Sequence, residues 1–161
     1  MLIHFSLNTM IDECIKLAKK YFSGKYNCAQ STMKAILTGV DMDFDQIMPL
    51  AAGLGAGMAH EGNVCGAVSG AIAALGVIES RSHTDALEQK EAAYASGEEF
   101  IRRFKIKHGT IICNKLTGIE MAEIKARKDA MDDGTFVRVC PTFVADAVKI
   151  ALEISSEKEE R

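Results

Sequence analysis

The run Asn63-Val64-Cys65-Gly66-Ala67-Val68-Ser69-Gly70-Ala71-Ile72-Ala73-Ala74-Leu75-Gly76-Val77-Ile78 decides the fold, because it is uncharged and spaced as a helix. Gly66, Gly70 and Ala74 recur every four residues, with Ala67 and Ala71 beside them, so small residues share one stripe. Glycine inside a helix costs up to about 1 kcal/mol relative to alanine. Close approach of a second helix is the compensation that such a stripe offers. The spacing therefore predicts a central, enclosed helix over about 64–78, and the same stripe would also suit a homodimer interface. This run and the uncharged stretch from Ile47 to Ala59 are each shorter than the roughly 20 residues that span a bilayer. Both are rich in Gly and Ala, so buried core is the reading and stable membrane insertion is not expected.

Outward from this segment the periodicity stays helical, and no alternating strand of useful length occurs. A first helix starts near Asn8 or Thr9 and closes at Ser23-Gly24, with Met10, Cys14, Leu17 and Tyr21 on one stripe. Asn27 reads as the N-cap of a helix from Cys28 to Leu37 that Gly39 stops. A further helix is expected from Asp41 or Asp43 through Leu50. Ser82, Thr84 and Asp85 open a long helix to His108, capped by Gly109, with Leu87, Tyr94, Gly97, Ile101, Phe104 and His108 as its core face. Thr110 caps a short helix carrying Cys113 and ending at Gly118, and a polar helix follows over about 121–131. The last helix is expected to begin at Cys140-Pro141, proline being favoured in a first turn. The prediction is an all-α protein, one compact bundle of about six to eight helices around a central Gly/Ala-rich helix. Residues 1–161 form a single domain, with a charged, frayed tail at 157–161.

Hydrophobic residues make up 48% and charged residues 25% of the chain, the balance of a globular domain. The net charge of −3 comes with no basic block, which argues against nucleic acid as a partner. The N-terminus lacks a cationic stretch ahead of an apolar one, so no signal peptide is read and a cytoplasmic, reducing location is expected. There, free cysteines serve metal binding or catalysis more often than structural disulfides.

Four of the five cysteines, Cys28, Cys65, Cys113 and Cys140, fall in or beside the expected first turn of four different helices. Free N–H groups and the positive end of the helix dipole favour thiolate there. Four such positions suggest sulfurs gathered at one point, to bind metal or an iron–sulfur cluster, or to cycle between dithiol and disulfide. No CxxC pair occurs, and the intervals of 36, 47 and 26 residues leave the gathering to tertiary folding. Cys14, mid-helix on an apolar stripe, reads as a small buried hydrophobe.

The runs Asn27-Cys28-Ala-Gln-Ser, Gly55-Ala-Gly-Met-Ala-His-Glu-Gly62, Cys65-Gly-Ala-Val-Ser-Gly70-Ala, Cys113-Asn-Lys-Leu-Thr-Gly118 and Cys140-Pro-Thr-Phe-Val-Ala-Asp-Ala147 together resemble the C_GCAxxG_C_C family of redox-active proteins. The resemblance extends from about residue 10 to 154. It implies a small helical protein of bacteria or archaea with a redox role carried by Cys28, Cys65, Cys113 and Cys140, and it leaves Cys14 out. A similar module in split-Soret multihaem cytochromes is associated with an iron–sulfur cluster. This chain has no CxxCH motif, so haem does not carry over. His60 stands where many members have arginine.

The glycine run at Gly53, Gly55 and Gly57 completes neither GxGxxG nor GxxxxGK[ST], so nucleotide binding is not supported. Its structural reading is a set of tight turns into a crowded core. Gly55, Gly57 and Gly66 could also bring N–H groups to sulfur, and His60 could be a further donor or ligand. His108 suits a helix C-terminus, and His4 and His83 read as surface residues.

The leading expectation is a redox protein whose four cysteines bind an iron–sulfur cluster such as [2Fe-2S], or zinc, and exchange electrons with a partner protein. The alternatives are a dithiol/disulfide protein without cofactor, and a zinc-stabilised binding module using the polar helix over 121–133. A hydrolase or transferase lacks any supporting nucleophile–base pair.

Overall fold

The computed structural model describes residues 6–159, so His4 and the last two residues of the expected tail lie outside it. The helices are α1 (Leu7–Ser23), α2 (Cys28–Gly39), α3 (Ile47–Ala51), α4 (Gly55–Met58), α5 (Gly66–Glu79), α6 (Ala86–His108), α7 (Cys113–Thr117), α8 (Ile124–Asp132) and α9 (Thr135–Glu159). A 3-10 turn at Ala52–Leu54 joins α3 to α4. Among the described residues no strand forms, and one antiparallel bridge pairs Val64 with Ile112. The fold is all-α, as the periodicity requires. No helix among the described residues is long and apolar enough to cross a membrane.

The Gly/Ala-rich α5 is the central helix, packed on α2, α6 and α9. Its stripe is used inside the chain. A Cβ at Gly70 would stand 2.5 Å from the carbonyl oxygen of Ala29, and one at Gly66 would collide with the sulfur of Cys28. Ala67, Ala71 and Ala74 are fully buried beside them. One apolar core follows, built from Ile11, Met33, Ile36, Val68, Phe100 and Val148 with their neighbours.

Helix starts follow local chemistry. Ser6 caps α1 by accepting from Thr9 N–H, and Asp85 caps α6 by accepting from Leu87 and Glu88 N–H. Asn27 forms a capping box with Gln30 at the start of α2. Gly109 closes α6 in the left-handed conformation that its missing Cβ permits.

Besides the helix expected from Asp41 or Asp43, which starts only at Ile47, three expectations need correction. The first concerns α9, which begins at Thr135 rather than Cys140, with Pro141 inside the helix. The start signal is Asp133, whose carboxylate accepts from both Thr135 N–H and Thr135 Oγ. Pro141 removes one N–H, and the Val137 carbonyl it would have met belongs to an exposed residue that water can reach. The second concerns α6, where Leu87 and Tyr94 are 60% and 61% exposed, while Ser96, Gly97, Phe100 and Phe104 are buried. The inward stripe includes a serine because buried Glu79 needs a hydroxyl donor there, a polar demand that apolar periodicity does not register. The third concerns the tail. α9 continues to Glu159, and Lys158 reaches back 2.6 Å to Glu79.

Candidate sulfur centre

Cys28 is the first residue of α2, Cys65 the N-cap of α5, and Cys113 the first residue of α7. Cys140 is the exception, lying more than a turn inside α9. The bridge between Val64 and Ile112 fixes two of the four. Cys65 N–H donates to Ile111 O at 2.8 Å, and Cys113 N–H donates to Asn63 O at 2.6 Å. These two amides are consumed by the chain and are not free to face sulfur. Thr110 accepts from Ile112 N–H and shapes the entry to α7.

A cavity of about 240 Å³ is lined by Cys28, Cys113 and Cys140, with Phe22, Met121 and Phe136 among its apolar walls. Cys65 is outside this lining and is paired with Cys28 by a thiol hydrogen bond. Cys65 and Cys113 are 6% and 5% exposed, whereas Cys28 and Cys140 are half-buried. Of the four cysteines, Cys28, Cys113 and Cys140 line this cavity, and Cys65 interacts with Cys28 beside it. Cys14 is buried elsewhere, against Gly39 between α1 and α2.

The helix-start argument holds for one sulfur. Hydrogen bonding from the Cys65 thiol lowers the Cys28 pKa to about 7, against the opposing effect of burial. Backbone N–H groups of Ala56, Ala29 and Cys28 itself add to the lowering. Cys65 is pushed well above the usual thiol range by the same hydrogen bond, then by burial and the charge of Cys28. Burial and the Cys28 charge push Cys113 up to about 11. Burial first, then the charges of Cys28 and Cys113, push Cys140 up to about 12. Cys28 is thus the one thiol of the four that ionises near neutral pH, while desolvation holds Cys113 and Cys140 protonated and the hydrogen bond to Cys28 does so for Cys65.

Two of the motif glycines make room in a crowded core, in keeping with their structural reading. Gly66 leaves room for the Cys28 sulfur, and Gly55 leaves room for the Asn27 side chain. The amide that reaches sulfur is that of Ala56. It opens a rare backbone feature: Ala56, Gly57, Met58, Ala59 and His60 all lie at positive φ, between 48° and 72°. A left-handed turn costs about 1–2 kcal/mol for each residue with a Cβ. A Cβ at Gly57 would press on the backbone of Gly62 and Asn63 at 2.6 Å, so that position needs glycine. His60 ends the turn, exposed to solvent yet part of the cavity wall.

Several contributors escaped the sequence reading. Arg127 from α8 lines the cavity and donates to Met121 O at 2.5 Å, tying the α7–α8 segment over the site. Asn114, next to Cys113, accepts from Met121 N–H and donates to Glu120. Adjacency of Asn114 to a motif cysteine was the available signal. His108, treated as a simple helix-end residue, sits 2.9 Å from Asp146 between the rings of Phe104 and Phe143.

Among the described residues no three His, Cys, Asp or Glu side chains stand close enough to share one metal ion. The donors are four thiols arranged around a space, with one close pair.

A protein of Archaeoglobus fulgidus, described as "Uncharacterized protein", is 27% identical over 143 residues, covering 84% of this chain and 87% of its own length. No solved structure matches the chain. A family model matches residues 26–154, a span that holds all four gathered cysteines and excludes Cys14. The chain belongs to the C_GCAxxG_C_C family, whose description is "Putative redox-active protein".

Proposed function

We propose that Cys28, Cys65, Cys113 and Cys140 form one redox centre that holds an iron–sulfur cluster and passes electrons to a partner protein. The observation that carries this reading is that three thiols from three helices line one cavity while a fourth, Cys65, interacts with Cys28 beside it. A dithiol would need two of them. The donor chemistry suits iron, which takes thiolate ligands in such clusters. Thiols spread around a space of about 240 Å³ suit a polynuclear group such as [2Fe–2S] better than a single zinc ion, since among the described residues no three donors stand close enough to share one ion. When bound, the cluster would supply one-electron transfer with no substrate chemistry at the site. The chain's own residues do the rest. Ala56 and Ala29 N–H groups favour negative charge at Cys28, and Phe22, Met121 and Phe136 limit water around the sulfurs.

A second reading is favoured by the Cys28–Cys65 pair alone. In it the Cys28 thiolate attacks a disulfide on an oxidised partner protein and displaces one partner thiolate. Cys65 then loses its proton and attacks the Cys28 sulfur of the mixed disulfide, releasing the second partner thiolate. The partner gains two electrons and the chain keeps a Cys28–Cys65 disulfide.

Anaerobic purification with visible absorption, iron, acid-labile sulfide and thiol analysis separates the two. Charge-transfer bands with iron and sulfide in equal amounts support the cluster. Colourless, metal-free protein that loses two thiols reversibly, at Cys28 and Cys65, supports the disulfide reading instead. Colourless protein with stoichiometric zinc overturns both and returns the chain to a zinc-stabilised binding module.

A further inference from the structure

Asn27 caps α2, yet capping alone does not require asparagine. Its Oδ1 accepts from Ala29 and Gln30 N–H at 3.0 Å each, a task that serine, threonine or aspartate performs as well. Its Nδ2 does something those residues cannot. It donates to Ala52 O at 2.8 Å, reaching across to the 3-10 turn that leads into the left-handed turn. Gly55 is buried against this amide: a Cβ there would lie 2.5 Å from Cγ and Nδ2 of Asn27. The far end of the same segment is also held. Gly62 O accepts from Asn114 N–H at 3.1 Å, while Gly62 N–H donates to Ala56 O and Asn63 N–H to Gly57 O.

Between these two anchors the four non-glycine residues Ala56, Met58, Ala59 and His60 keep a backbone conformation that their own Cβ atoms oppose. Such strain persists only where the surroundings over-determine it. The start of the turn lies against Cys28, the residue next to Asn27: Ala56 and Cys28 share the cavity wall, a Cβ on Gly66 would meet both the Cys28 sulfur and Gly55 Cα, and the Ala56 N–H favours negative charge on that sulfur. A single side chain therefore fixes both the helix start that carries the sulfur and the loop that carries its amide donor.

We infer that Asn27 is a positioning residue of the sulfur centre, clamping the left-handed turn Ala56–His60 so that the Ala56 N–H bears on the Cys28 sulfur. Its two functions are separable by chemistry. Serine retains the capping oxygen and lacks the amide donor. The inference takes the sulfur centre proposed above as the thing positioned, but the clamp itself is read without any redox assay.

The test is amide hydrogen exchange, with the Ala56 amide resonance as a second readout, on the full chain as purified and on its Asn27→Ser variant. The expected result is exchange at least tenfold faster across 53–63, a moved Ala56 resonance, and unchanged protection in α5, α6 and α9. Adding Ala56→Gly should restore much of the lost protection, because glycine adopts a φ of 55° without a Cβ penalty. Unchanged exchange in 53–63 overturns the inference. So does an equal acceleration in every helix, which would make Asn27 a contributor to global stability only, or acceleration confined to the first turn of α2, which would make it a cap only. A colourless, metal-free preparation would overturn the cluster reading while leaving these outcomes interpretable.

Discussion

The Cys65 thiol donates toward the Cys28 sulfur, and the pair divides its protons unequally, with Cys28 lowered to about 7 and Cys65 raised well above the ordinary thiol range. The thiolate is the nucleophile in alkylation. Peptide-resolved iodoacetamide labelling should therefore show Cys28 reacting half-maximally near pH 7. Cys113 and Cys140, held up to about 11 and 12, should stay slow until strongly alkaline pH. Replacing Cys65 by Ala should move the Cys28 midpoint upward. A Cys28 midpoint near 9.0, the ordinary thiol value, would count against the hydrogen-bonded pair.

The same shifts fix the sign of the pH dependence of stability. A folded pKa below the unfolded one stabilises above the unfolded value and is lost as pH falls through the folded value, so Cys28 contributes a rise between about pH 7 and 9. The four raised thiols, Cys14, Cys65, Cys113 and Cys140, act oppositely. Their contribution is complete below the unfolded pKa and is lost as pH climbs through their folded values. Urea melts from pH 6 to 10 under reducing conditions should show stability rising toward pH 9 and falling beyond it. A monotonic fall across pH 7–9 would contradict the lowered Cys28.

Two glycines on one stripe of α5 should fail differently. Gly70→Ala presses on the Ala29 carbonyl, which is backbone, and overpacking of this kind costs about 1–3 kcal/mol. Gly66→Ala presses on the Cys28 sulfur, which can swing away. The first variant should lower the melting temperature with Cys28 reactivity unchanged; the second should alter Cys28 reactivity more than stability. Equal behaviour of the two would mean that α2 and α5 adjust as one body.

Much of this was legible in the chain because the signals were local. The Gly66–Gly70–Ala74 spacing marked the helix that α2 approaches, and Asp85 and Gly109 marked both ends of α6. Grouping Cys28, Cys65, Cys113 and Cys140 apart from Cys14 needed only their positions and motifs. The start of α9 was misread because Pro141 suits a first turn, while Asp133 and Gly134 two turns earlier carried the true signal. The thiol chemistry departs from the helix-start expectation for tertiary reasons: burial at Cys113, the Cys28 hydrogen bond at Cys65, and burial inside α9 at Cys140. The left-handed turn was invisible for a stronger reason. Ala56, Met58 and Ala59 have no local preference for positive φ, so the conformation depends on backbone bonds within the turn and on contacts from Asn27, Asn63 and Asn114.

Cys14 gives a control for the site. It is buried against Gly39, its pKa raised by burial and by Glu13, and it touches none of the cavity. Cys14→Ala should cost about 1 kcal/mol of stability, as core truncations of this size do. Its metal content, colour and Cys28 reactivity should match the parent, whereas Cys65→Ala should abolish the redox behaviour. Loss of that behaviour in both variants would show that the cysteines divide differently.

The opposite end of α5 offers a change that should spare the site. Glu79 is buried there, accepting from Ser96 Oγ and from Lys158 Nζ at 2.6 Å. The helix is 14 residues long, which puts this network roughly 21 Å from Cys65 at 1.5 Å per residue. Lys158→Met strips a buried carboxylate of its cation and should cost about 1–3 kcal/mol. The loss is kept moderate because Lys158 itself is 39% exposed and water can replace part of its contact. In a chain of this size each kcal/mol lowers the melting temperature by about 2–4 °C. Glu79→Gln in the Lys158→Met background should recover part of the loss, since a neutral amide needs no cation and can still bond to Ser96. Cys28 alkylation should be the same in all three proteins. A change in Cys28 reactivity on removing Lys158 would mean that α5 transmits strain from its C-terminal end to the sulfurs.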